Sequence, residues 1–162
     1  MTHELESTTD SQAQTQWAAD HATPPQLVTI GYGGRKPTEL TSLLAGRGVK
    51  TVADVRLRPD RAAMGIYAKA KSADKGIERL LSDAGFGYAS LIELGNLFLD
   101  VDDWEPRYRR LLDVTGDLLT ERLLALPTPI CLLCCEKDPL RCHRRLIAEL
   151  LARRGWTVEH IL

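Results

Sequence analysis

Residues 130–144 read ICLLCCEKDPLRCHR, an apolar run that gives way at Glu136 to a charged turn and then to a helix-like stretch. Ile130 to Cys135 holds only Ile, Leu and Cys, the pattern of a central parallel strand buried on both faces. Asp138 is a good N-cap and Pro139 a natural first helical residue, so a helix is predicted from Pro139 to Arg154 with Gly155 as its stop. A buried strand that feeds a helix is half of a βαβ unit, and the same alternation continues on both sides of it.

Upstream, Leu27 to Tyr32 (LVTIGY) and Val49 to Val55 (VKTVADV) read as the first and second strands. The helix between them, Pro37 to Arg47, carries Leu40, Leu43 and Leu44 at helical spacing. Ala73 to Ala84 is predicted helical through Ile77, Leu80 and Leu81, and Phe86 to Leu91 is a third, weaker strand. A long helix is predicted from Asp103 to Leu126, and Trp156 to Ile161 (WTVEHI) is the fifth strand after Ile130 to Cys135. Five strands separated by helices predict an α/β fold: a mostly parallel five-stranded sheet flanked by helices, a Rossmann-like three-layer sandwich. Residues 1–26, rich in Thr, Gln, Ser and Ala and closing on Pro24-Pro25, are expected to be a flexible tail. Residues 27–162 are then a single α/β domain.

The composition agrees with one soluble globular domain. The 162 residues carry 21 Lys plus Arg against 22 Asp plus Glu, a net charge of -1, with 44% hydrophobic and 27% charged residues. Near-neutrality excludes bulk attraction to nucleic acid but not a local basic patch. No apolar run approaches the ~20 residues of a membrane span, so no membrane partner is expected. No basic start followed by an apolar core is seen, and a cytoplasmic protein is the expectation. All four cysteines fall between 131 and 142, which is unlike a disulfide framework and points to packing, metal-binding or catalytic roles.

In a parallel sheet, ligands bind at the carboxyl ends of the strands. The residues that follow the predicted strands are Gly31-Tyr32-Gly33-Gly34-Arg35, Asp54-Val55-Arg56-Leu57-Arg58, Glu93-Leu94-Gly95-Asn96 and Cys134-Cys135-Glu136-Lys137-Asp138. Together they predict a polar crevice with Gly33, Arg35, Asp54, Arg56, Glu93 and Arg144 as binding residues. Glu136 and His143 are the candidate proton carriers and Cys134 the candidate nucleophile. Projection of the last helix at 100° per residue places Leu140, His143, Ile147, Leu150 and Leu151 inward, and Arg141 outward. Cys135-x5-Arg141 has phosphatase-loop spacing, but two acids and a proline between them argue against an amide cradle. Cys134, Cys142 and His143 are an alternative metal-ligand set, although the paired Cys-x2-Cys knuckle is missing and Cys131 alternates away from the site. Gly31 and Gly33 fit two glycines of a dinucleotide fingerprint, but Lys36 stands at the third. The stretch from 56 to 75 carries Arg56, Arg58, Arg61, Lys69, Lys71 and Lys75 against two aspartates, a candidate binding loop for phosphates or nucleic acid.

At these residues the chain resembles a known family. Thr29-Ile-Gly-Tyr-Gly-Gly-Arg35, Asp54-Val-Arg-Leu-Arg-Pro59, Leu91-Ile-Glu-Leu-Gly95 and Leu133-Cys-Cys-Glu-Lys-Asp-Pro-Leu-Arg-Cys-His-Arg144 are similar to the domain of unknown function 488 family over about residues 27 to 162. The family's motif cysteine falls on Cys134, followed by Glu136, Cys142, His143 and Arg144. Cys135 stands where a small residue is more usual, and residues 60 to 71 depart from the arginine- and aromatic-rich stretch of relatives. The resemblance implies an α/β fold with a shared polar site, and names neither reaction nor cofactor. Three readings follow from the sequence. One is an enzyme or ligand-binding protein for a small anionic, nucleotide-like substrate. The second is a metal-binding or redox protein using Cys134, Cys142 and His143. The third is a nucleic-acid-binding module using the basic loop 56–75.

Overall fold

The computed structural model describes residues 25–162; the first 24 residues of the predicted tail lie outside the described residues. Five strands form one sheet: β1 (Leu27–Gly31), β2 (Thr51–Asp54), β3 (Gly87–Ser90), β4 (Ile130–Cys134) and β5 (Val158–His160). Their order is β3-β2-β4-β1-β5, and every neighbouring pair is parallel. In register, β4 sets Cys134 beside Gly31 on one flank and Leu133 beside Asp54 on the other.

Two helices, α1 (Pro37–Ala45) and α2 (Gly76–Asp83), cover one face of the sheet. They pack Leu40, Leu44, Ile77 and Leu81 against Val28, Ile30, Val52, Cys131 and Leu133. The other face carries α3 (Trp104–Leu119), the short α4 (Glu121–Leu124) and α5 (Arg144–Arg153). Here Tyr108, Leu112, Leu146, Ile147 and Leu151 meet Leu27, Ala53, Ile130, Leu132 and Cys134. The alternation along β4 separates its thiols, with Cys131 on the α1–α2 face and Cys134 on the α5 face. Among the described residues, no helix is long and apolar enough to cross a membrane.

Two predicted helices are interrupted. The stretch from Asp103 to Leu126 divides at buried Thr120, the C-cap of α3, whose N–H and hydroxyl both donate to Gly116 O, at 3.0 and 2.7 Å. The stretch from Pro139 to Arg154 begins instead as a 3₁₀ turn, Pro139–Arg141, capped by Asp138 through the Leu140 N–H. Cys142 then stands in extended backbone (φ -132°, ψ 139°) before α5 starts. The continuous-helix projection fails ahead of the break, so Leu140 is 68% exposed rather than inward.

The loop from 56 to 75 is tied down. It contains a 3₁₀ turn, Gly65–Tyr67, whose Tyr67 is buried and donates its hydroxyl hydrogen to Arg35 O at 2.7 Å. Arg56 adds a second tie, donating to Tyr67 O at 2.8 Å.

Candidate functional site

The chain leaves β2 through α2 toward one edge of the sheet and leaves β4 through α5 toward the other. Between two strands whose connections diverge, a crevice opens at the carboxyl ends. In this protein it is a cleft of about 430 Å³. Tyr32 lines it after β1, Arg56 to Arg58 after β2, and Cys134 to Glu136 after β4. Asn96 follows β3, while Arg141, Cys142 and His143 come from the turn into α5. Trp104, at the first position of α3, and Leu99 supply apolar wall.

At the floor, three ligand-type atoms converge. The sulfurs of Cys134 and Cys142 and a ring nitrogen of His143 lie within 4.8 Å of one another, all in buried residues. Neighbouring residues on a continuous helix diverge by 100°, so the extended backbone at Cys142 is what lets it share a side with His143. His143 Nε2 is 2.8 Å from Val55 O. A carbonyl only accepts, so Nε2 carries a hydrogen and Nδ1 is left facing Cys142 Sγ at 3.8 Å. Tyr108 fixes the ring edge-on, with centroids 5.2 Å apart.

The two buried thiols titrate in opposite directions. The hydrogen bond from Cys134 holds Cys142 well below the ordinary thiol value, against the opposing effect of burial, and His143 assists. Donating that bond, together with burial, pushes Cys134 up. Cys131, on the far face of the sheet, is pushed up by burial.

The binding residues read from the sequence fall into distinct places. Asp54 is fully buried and grips Arg56 through two oxygens, at 2.8 and 2.7 Å, while accepting from Tyr88 at 2.6 Å. Arg56 lines the cleft and stacks over Tyr32, 5.1 Å from the ring centroid. Burial is the main cause that raises the Tyr32 hydroxyl to about 12. Arg35 is buried, donating to Gly31 O and to Glu39, each at 2.9 Å. Arg144 is buried behind the turn, where it donates to the carbonyls of Glu136 and Lys137 and to Thr29 Oγ1. The Gly33 N–H is taken by Cys135 O at 2.9 Å. Glu93 lies outside the cleft and pairs with Arg122 at 3.0 Å. Of the predicted set, Cys134, Glu136, His143 and Arg56 thus line the cleft. Arg35, Asp54 and Arg144 brace its walls.

Residues outside the predicted binding set complete the rim. Arg58, Arg61 and Arg141 are exposed, face the cleft, and have no carboxylate partner among the described residues. Asn96 is buried with Oδ1 accepting from Phe98 N–H at 2.9 Å, which leaves its amide hydrogens for other acceptors. Arg58 and Arg61 were legible as part of the basic loop. Arg141 was not, because a straight helix sends it to solvent.

Fold and site together define a three-layer α/β protein with a cysteine–histidine cluster at the switch point of a parallel sheet. The model of the family described as Domain of unknown function DUF488 matches residues 36–151, and the chain belongs to that family. Searches among curated proteins and among solved structures gave no match.

Proposed function

We propose that the protein is an enzyme that binds a small anionic substrate in this cleft and acts on it with the Cys134–Cys142–His143 cluster. The observation that carries the reading is the charge on the rim: three guanidinium groups with no carboxylate partner among the described residues line the cleft together with one carboxylate, Glu136. Guanidinium is the side chain best shaped to hold carboxylate or phosphate oxygens. Cys142 supplies a soft electron donor at the floor, and Glu136 is the exposed group available to carry protons at the mouth. His143 offers the cluster only Nδ1, so it serves the sulfurs and leaves proton traffic with substrate to Glu136.

Binding is tested by calorimetry with inorganic phosphate, sulfate and nucleoside monophosphates. Tight binding of one of them, weakened in Arg58→Gln and Arg141→Gln, supports the reading; indifference to both substitutions sinks it. Turnover is tested by mass spectrometry of a small-molecule extract incubated with wild type and with Cys142→Ser, where only wild type should consume an anionic component. A nucleic-acid face is less favoured. Tyr67, the loop's only large aromatic, is buried rather than offered for stacking, and Lys69 is paired with Glu78 at 3.1 Å. Oligonucleotide affinity that falls steeply with salt would reverse that preference.

A further inference from the structure

We infer that Cys134, Cys142 and His143 are the three protein ligands of a zinc-type divalent ion whose remaining position opens on the cleft. The inference rests on the anionic-substrate reading only for what would occupy that position.

Five features point to it. Two sulfurs and one imidazole nitrogen converge within 4.8 Å, and all three residues are buried. Such soft and borderline donors suit zinc, and three of them beside an open cleft make the donor count of a catalytic rather than a closed structural site. His143 is already oriented as a ligand: its Nε2–H is spent on Val55 O at 2.8 Å, the second-shell arrangement that fixes tautomer and ring plane in metal sites. The other two thiols are kept apart, Cys131 across the sheet and Cys135 exposed on the rim, so the donor set is selected from the four cysteines. A divalent ion with two thiolates is neutral, which is the charge state that a buried floor tolerates.

The backbone supports the same set. Cys134 ends β4, and the turn that follows is clamped by Arg144 on the carbonyls of Glu136 and Lys137. Cys142, in extended backbone after the 3₁₀ turn, then returns the chain to Cys134 before α5 begins. Loop and helix start are thereby held on either side of the sulfurs without any ligand bond.

The test uses the full chain purified without a metal-affinity tag, stripped by chelator under reducing conditions and titrated with cobalt(II) alone. One equivalent is expected, with tetrahedral d–d bands and a thiolate-to-cobalt charge-transfer band, and zinc(II) should displace it. Cys142→Ser and His143→Ala should each weaken binding at least about tenfold, a loss no smaller than second-shell changes cause. Cys135→Ser should keep the stoichiometry. Absence of the charge-transfer band in wild type, or affinity undiminished in the two ligand variants, overturns the inference; the wild-type spectrum decides alone where a variant fails to fold. Phosphate binding to the metal-free protein separates the two readings. If it persists and depends on Arg58 while cobalt does not bind, only the metal site is lost. If cobalt binds with its sulfur signature while the arginine substitutions change nothing, only the anionic-substrate reading is lost.

Discussion

Two sets of arginines stand at the carboxyl end of the sheet, and they have opposite fates. Arg35, Arg56 and Arg144 are at most 5% exposed and give their hydrogens to Gly31 O, Tyr67 O, Glu136 O, Lys137 O and the carboxylates of Glu39 and Asp54. Arg58, Arg61 and Arg141 are exposed at the cleft, and their guanidinium groups have no partner among the described residues. The buried set does the work of mortar. Each member gives its hydrogens to carbonyls of the strand ends and turns around the cleft. The exposed set has its donors free. Sequence position does not tell the sets apart, since Arg56 and Arg58, or Arg141 and Arg144, are near neighbours in the chain.

That contrast can be broken at its strongest point first. Removal of Asp54 leaves the buried Arg56 charge without its carboxylate, so Asp54→Ala is expected to cost about 3–5 kcal/mol in urea unfolding. A loss below 1 kcal/mol would mean that Arg56 is not structural. Arg144→Met keeps most of the volume but removes the side-chain donors to two carbonyls and leaves the Thr29 hydroxyl with His160 alone, and about 3 kcal/mol should be lost in the same assay. On the rim the pattern should invert. Arg58→Gln and Arg141→Gln should leave stability within about 0.5 kcal/mol, while the affinity for the best anion falls about tenfold, the loss of one charge-assisted bond. Equal stability losses in both sets would dissolve the comparison.

The smallest effect is a pH dependence behind the mortar. His160 on β5 shares the Thr29 hydroxyl with Arg144, its Nδ1 lying 2.7 Å from Oγ1. Burial, with Arg144 nearby, holds its pKa below the usual imidazole value. The folded state therefore binds the proton less readily than the unfolded chain. The corresponding stability is present above about pH 6.5 and is lost as pH falls from there toward the lowered value. Urea midpoints at pH 7.5 and 5.5 should show the decrease, and His160→Gln should flatten it. An unchanged slope in that variant would assign the dependence elsewhere.

Most of the architecture was legible in the sequence because hydrophobic pattern carries it. The run from Ile130 to Cys134 announces a strand buried on both faces, and the helices with Leu40, Leu44, Ile77 and Leu81 show their core stripes by spacing alone. The apolar pattern runs one or two residues past the strand ends: β1 stops at Gly31, not Tyr32, and β4 at Cys134, not Cys135, although the Tyr32 and Gly33 N–H groups still donate to Cys134 O and Cys135 O. What was not legible is the turn from Asp138 to His143. Its residues favour a helix locally, yet a 3₁₀ turn and one extended residue replace the first helical turns. The inward place predicted for His143 matches the structure, but the pairing with Cys142 depends on a backbone break that periodicity does not encode. Thr120 hides the break in the long helix in the same way, as a hydroxyl that bonds back to its own helix.

The strand order sets a timetable for synthesis. Leu27 pairs with Ile130 on one side and Val158 on the other, so β1 has no sheet partner among the elements between them. A ribosome adding about 5–20 residues per second takes about 5–20 s to cross the roughly hundred residues from β1 to β4. During that interval β2 and β3 can find each other, but LVTIG waits with both edges unpaired. The arrival of β4 closes the sheet from its middle. The same segment brings Cys134, the arginine-clamped turn, Cys142 and His143, so the floor of the cleft and the centre of the sheet are completed in one late event.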